Sequence, residues 1–125
     1  MQFLCRLCSV LLQLCIILLI RKIMNSIIEN NLIAINKLCK ENRVEKLYVF
    51  GSVLNENFNE NSDIDFIVEF NNKIPLLEYG DNYFELLFAF EDLFIKKIDL
   101  ITEKSLRNPY FISELNSTKQ IVYAA

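Results

Sequence analysis

The chain has 125 residues, room for a single domain, and 53% of them are hydrophobic, enough to bury a core. Its net charge of −3 argues against a general nucleic-acid binder, which needs a basic face to neutralise phosphates. It contains no His, which excludes His-based triads, imidazole bases and most zinc sites. Acid–base or metal chemistry must therefore rest on carboxylates, whose hard oxygens suit Mg²⁺ or Mn²⁺.

Residues 1–23 differ from all that follows. Leu7 to Ile20 is apolar except for Ser9 and Gln13, short of the roughly 20 apolar residues that cross a bilayer. Arg6 precedes the run as in a signal peptide, but Arg21-Lys22 stand where a small-residue cleavage site would lie. The expectation is a hydrophobic leader outside the working protein, with Met24 as an alternative start and residues 24–125 as the functional domain. A membrane anchor is the alternative, so membrane contact is expected only if the leader is retained. Losing it removes Arg6, Arg21 and Lys22 and no acid, taking the net charge from −3 to −6. Cys5, Cys8 and Cys15 fall in the leader and Cys39 beyond it. Cys5-x-x-Cys8 has ligand spacing but no second pair to complete a tetrahedral set. No disulfide framework is indicated, so a reducing compartment, the cytoplasm, is expected.

From Ser26 a helix is predicted on Ile27, Ile28, Leu32, Ile35 and Leu38, with Ser26 as N-cap and an end near Glu41-Asn42. Leu47 to Phe50 is a short strand stopped by Gly51. Residues 53–61, rich in Asn, read as a loop with room for one helical turn. Ser62 to Phe70 alternates as a strand does: Ile64, Phe66, Val68 and Phe70 take one face, and Asp63, Asp65, Ile67 and Glu69 the other. Asn71 to Lys73 is a turn. Pro75 to Phe94 is helical at least from Tyr83, with Gly80 a point of interruption, and its aromatic stretch 83–94 reads as a core-facing helix or a partner surface. Ile98 to Ile101 is a strand, Pro109 to Leu115 a helix with Pro in its first turn, and Gln120 to Tyr123 a last strand. The fold class is α+β, a small mixed sheet packed by helices.

Three carboxylates stand out. Asp63 and Asp65, two apart on a strand, point to one face and can reach a shared ion. Two such charges repel unless a cation or donor offsets them, and Asp is disfavoured in strands. Asp99, between Ile98 and Leu100, is costly to bury unless paired or coordinated. If its strand lies beside residues 62–70, it joins the other two. Gly51-Ser52 ends a strand, where Gly permits a sharp turn and close approach of a ligand. The N–H groups that follow, with the Ser hydroxyl, can hold phosphate oxygens. Together these parts point to phosphoryl or nucleotidyl transfer, with carboxylates holding two metal ions on the attacking and leaving oxygens.

Gly51-Ser52, then ten residues, then Asp63-Ile64-Asp65 resembles the signature of the nucleotidyltransferase superfamily that includes DNA polymerase beta and kanamycin nucleotidyltransferase. The runs Tyr48 to Ser52 and Ser62 to Val68 look most like the minimal nucleotidyltransferases, the MNT proteins. Lys97 to Thr102 resembles the strand that supplies the third carboxylate. The resemblance covers about residues 26–123. It implies the mixed-sheet fold, Mg²⁺ and a nucleoside triphosphate, usually ATP. Carried over by position, Asp63 and Asp65 bind metal, Asp99 completes the metal site or acts as base, and Gly51 and Ser52 bind phosphates. It also implies a partner: MNT proteins commonly act as antitoxins to a helical RNase toxin called HEPN, and some transfer AMP to its tyrosine hydroxyl. No direct contact with nucleic acid is expected.

The chain departs from that pattern after Gly-Ser. Many relatives carry Ala-Arg-Gly; here Val53-Leu54-Asn55-Glu56 follow. Asn55 or Asn57 is expected to replace the Gly in a left-handed conformation, and Arg43, Lys46 and Lys73 are the candidates to replace the Arg. The departure keeps two other functions in view: an antitoxin that masks its partner without catalysis, and a small-molecule nucleotidyltransferase of the aminoglycoside type. The latter would need a second domain to enclose its substrate.

Overall fold

The computed structural model describes residues 26–125; the stretch expected to be a leader, with Cys5, Cys8 and Cys15, lies outside the described residues. Two helices open the fold, α1 (Ser26–Glu29) and α2 (Leu32–Glu41), followed by strand β1 (Val44–Phe50) and a 3-10 turn (Gly51–Leu54). Strand β2 (Ile64–Phe70), helix α3 (Leu76–Phe94), strand β3 (Ile98–Thr102), helix α4 (Pro109–Thr118) and strand β4 (Gln120–Ala124) complete it. The strands form one mixed sheet in the order β3-β2-β1-β4. β1 pairs antiparallel with β2 and β4, and β2 pairs parallel with β3 across α3.

The predicted first helix is two helices. Asn31 Nδ2 donates to the Ile27 carbonyl at 2.7 Å, and such local side-chain bonds compete with the helical ladder. β1 starts three residues earlier than predicted, at Val44. Its periodicity is obscured there by a register shift between Val44 and Lys46. Gly80 does not interrupt α3, which runs unbroken from Leu76 to Phe94. A single Gly costs a helix only about 1 kcal/mol, less than the packing of α3 supplies.

That packing follows from the alternation of β2. Ile64, Phe66, Val68 and Phe70 are all buried on the face that α3 covers. The Phe66 ring lies 5.0 Å from Phe90 and 5.9 Å from Phe94. Leu86, Phe90 and Phe94 face this core, whereas Phe84 and Phe88 are 54% and 58% exposed and stack on each other. The core-facing reading thus holds for one side of the stretch, and the other side is exposed. The opposite face of the sheet is covered only in part: Tyr48 and Ile67 share a cleft with Leu106, Ile112 and Leu115. Asn108 caps α4, its side chain accepting from the Tyr110 and Phe111 amides, with Pro109 in the first turn as expected. Cys39 is a buried free thiol, pushed up to about 12 by burial and so unsuited to metal binding or redox work. No helix among the described residues is long and apolar enough to cross a membrane.

Candidate active site

The sheet topology brings the three carboxylates to one place. β1 ends where β2 and β3 begin: Phe50 pairs with Asp65, and Asp65 pairs with Asp99. Paired strands lie about 4.8 Å apart, and the side chains of paired residues share a face. Asp65 and Asp99 therefore stand side by side on the face opposite the aromatic core, with Asp63 just ahead of β2. Asp63 and Asp65 are half-buried and Asp99 is exposed on the edge strand.

The electrostatics agree with this placement. The Asp65 carboxyl is raised from 3.8 to about 6, first by burial, then by the charges of Asp99 and Asp63. Such mutual repulsion is the state a divalent cation would relieve. Among the described residues no three acidic or thiol side chains are grouped closely enough to form a ligand set as they stand. The donor chemistry nevertheless fits Mg²⁺: six carboxylate oxygens and no softer donor.

Gly51 forms the floor beneath Asp65. Its φ is +75°, and a Cβ placed there would land on Asp65 Oδ2 and 3.4 Å from Cγ. Only glycine meets both conditions at low cost. Gly51 and Ser52 then open the 3-10 turn, closed by the Asn55 amide donating to the Ser52 carbonyl at 3.0 Å. The turn starts two residues ahead of the loop in which one was expected, because Val53 is drawn into the core.

Two expectations about the altered loop need correction. Neither Asn55 nor Asn57 adopts a left-handed backbone; among the described residues positive φ falls on Arg43, Gly51 and Ile95. The Asn side chains instead act as local turn acceptors. Asn55 Oδ1 takes the Asn57 amide at 2.9 Å, and Asn59 Oδ1 takes the Asn61 amide at 2.8 Å. Nor do Arg43, Lys46 and Lys73 replace the missing Arg. Arg43 pairs with Glu78 at 2.6 Å, and Lys46 and Lys73 line a cleft with Glu69 and Asn71. All three sit at the other end of the β1–β2 hairpin, where Val44 pairs with Phe70. Lys46, four residues from Phe50 along the strand, lies roughly 13 Å from the carboxylates.

Lys96 was not singled out by the sequence, yet it grips the loop that leads into Asp63. Its Nζ donates to the carbonyls of Asn59, Glu60 and Ser62 at 3.0, 2.8 and 3.3 Å and lies 4.9 Å from the centre of the Phe58 ring. A contact spanning more than 30 residues leaves no local pattern to read.

Comparison with known proteins gives a consistent picture. The sequence profile of the family described as polymerase beta nucleotidyltransferases matches residues 34–125. A Methanocaldococcus jannaschii protein, named provisionally as a protein adenylyltransferase, is 39% identical over 75 residues, 59% of this chain and 72% of its own length. A solved toxin–antitoxin structure with AMP-PNP superposes with a TM-score of 0.59 at 21% identity, covering 76% of this chain and 74% of the other. A second, described as a tri-AMPylated Shewanella oneidensis HEPN toxin in complex with MNT antitoxin, gives 0.50 at 19%, covering 78% and 73%. At those identities the two structures speak for the fold.

Proposed function

We propose that this chain, which belongs to the polymerase beta nucleotidyltransferase family, transfers AMP from ATP to a tyrosine hydroxyl of a HEPN-type RNase toxin and serves as its antitoxin. The family makes the chain a nucleotidyltransferase. The name of the M. jannaschii relative supports a protein as acceptor, and the two solved toxin–antitoxin structures support the partner and the nucleotide. The observation that carries the proposal is the pairing of Asp65 with Asp99 beside Asp63, over the bare Cα of Gly51.

In this reading Asp63 and Asp65, with Asp99, hold Mg²⁺, two ions for preference, and the turn at Gly51-Ser52 receives the triphosphate. The bound metal supplies charge neutralisation and orients the oxygens at phosphorus. Asp99, exposed on the edge strand, faces the incoming hydroxyl and accepts its proton. The tyrosine oxygen forms a bond to the α-phosphorus, the bond to the β-phosphate oxygen breaks, and pyrophosphate leaves with that electron pair. Burial of Asp65 against Gly51 keeps the acid in place and limits water around it.

The test is incubation of the chain with α-labelled ATP, Mg²⁺ and a purified HEPN-type toxin. Label is expected on a toxin tyrosine, and D63N/D65N should abolish it; labelling that survives the double substitution would refute the site. A second reading, masking without transfer, is favoured by the exposed Phe84–Phe88 stack and the absent loop Arg. It predicts that D63N/D65N still silences the RNase, whereas F84S/F88S does not.

A further inference from the structure

The ten-residue connection between Gly51-Ser52 and Asp63 is polar except at Val53, Leu54 and Phe58 and mostly exposed, and it must nevertheless deliver Asp63 accurately. Three observations show what holds it. Lys96 Nζ donates to three carbonyls of this connection, the last being that of Ser62, the residue directly before Asp63. The next residue, Lys97, accepts the amide of Ile64, the residue directly after Asp63, at 3.2 Å. Ile95 adopts a left-handed conformation, φ 52° and ψ 43°, as it ends α3. That is costly for a β-branched residue and turns the chain so that Lys96 meets the loop.

From these we infer that Lys96 is a positioning residue for the carboxylate site, fixing Asp63 relative to Asp65 and Asp99. Asp63 is bracketed by two grips, one from the Lys96 side chain and one from the Lys97 backbone, and the same segment leads within three residues to Asp99. An ammonium ion has three donors, and here three carbonyls meet them, with the ring of Phe58 beside it. Lys96 touches neither metal nor nucleotide in this account; it acts through Asp63.

The inference rests on the carboxylates being a metal site, and the experiment separates the two. Mn²⁺ is titrated into the full chain, and free Mn²⁺ is read from its electron paramagnetic resonance signal. Wild type should bind. Lys96→Met, which keeps an unbranched side chain but removes the charge and donors, should bind about tenfold more weakly, the low end of the effect of removing a group that supports a metal ligand. Lys96→Arg, which keeps the charge and N–H donors, should recover part of the lost affinity. Measurement well below each unfolding midpoint keeps a loss of stability out of the readout. Lys96→Gln, with one amide donor left, carries the same comparison if the Met variant does not fold. No Mn²⁺ binding by wild type overturns the metal-site reading itself. Binding by wild type with unchanged affinity in K96M, or in K96Q, overturns the role of Lys96 alone.

Discussion

The two faces of β2 are built by alternate residues of the same seven-residue stretch, yet they obey opposite rules. One face sets Ile64, Phe66, Val68 and Phe70 against helices, and all four are buried. The other carries Asp65, Ile67 and Glu69, and only Ile67 is fully covered. The apolar face gains stability from every contact. The acidic face gives some up, holding Asp65 beside Asp99 and raising its carboxyl to about 6. Strand period makes this division possible, because a change on one face leaves the side chains of the other pointing where they did.

The largest effect should come from breaking the apolar face. Phe66 is fully buried and touches the rings of both Phe90 and Phe94. Phe66→Ala should cost about 3–5 kcal/mol, read as a drop in the urea midpoint, a large share of the stability of a small domain. Next comes the floor of the acidic face. Gly51→Ala should cost about 1–2 kcal/mol for its positive φ and displace the Asp65 carboxylate. AMP transfer should therefore fall at least tenfold at a temperature where the variant is still folded, a loss of the size expected when a metal ligand loses its support. Transfer at the wild-type rate would show that Asp65 is not the acid that matters.

The apolar face was the more legible in the sequence, because alternation and helical spacing are local signals. The same holds for Gly51-Ser52 and Asp63-x-Asp65, whose spacing is itself the pattern, and for Asp99 once its strand was placed. What was illegible depends on pairs far apart in the chain. The Lys96 grip needs α3 to end in a left-handed turn beside the loop. The failure of Arg43, Lys46 and Lys73 as substitutes follows from the direction of the hairpin, which places them at its other end. Asn55 or Asn57 was expected to take a left-handed backbone, and that Asn55 and Asn59 act instead as side-chain acceptors was settled only by the surrounding contacts.

A smaller effect tests the tension on the acidic face. In the folded chain Asp65 holds its proton up to about pH 6, against an ordinary value of 3.8. Between those values the folded state binds more protons than the unfolded one, so stability should fall as pH rises through that window and level off above it. Asp65 is partly exposed, and after solvent screening roughly 1 kcal/mol remains. Asp65→Asn should flatten this dependence and raise the unfolding midpoint at pH 7 in EDTA, while AMP transfer is lost. A midpoint that drops at pH 7 would mean that the carboxylate is stabilising where it stands.

The smallest effect separates the site from its face. Glu69 shares the face and strand of Asp65 but lies at the far end, near Glu103. Its carboxyl is raised by burial, then by the charge of Glu103 and a hydrogen bond with it, while Lys46 and Lys119 pull the other way. The sign matches that of Asp65: the proton is held above the ordinary 4.5, so the stability contribution declines as pH rises through the range above that value. Opposing lysines and exposure limit the size to under about 0.5 kcal/mol. Glu69→Gln should therefore shift the midpoint by no more than about 4 °C and leave AMP transfer at the wild-type rate. If transfer fell as it does in D65N, any carboxylate on this face would serve, and position beside Gly51 would not be what makes an acid functional here.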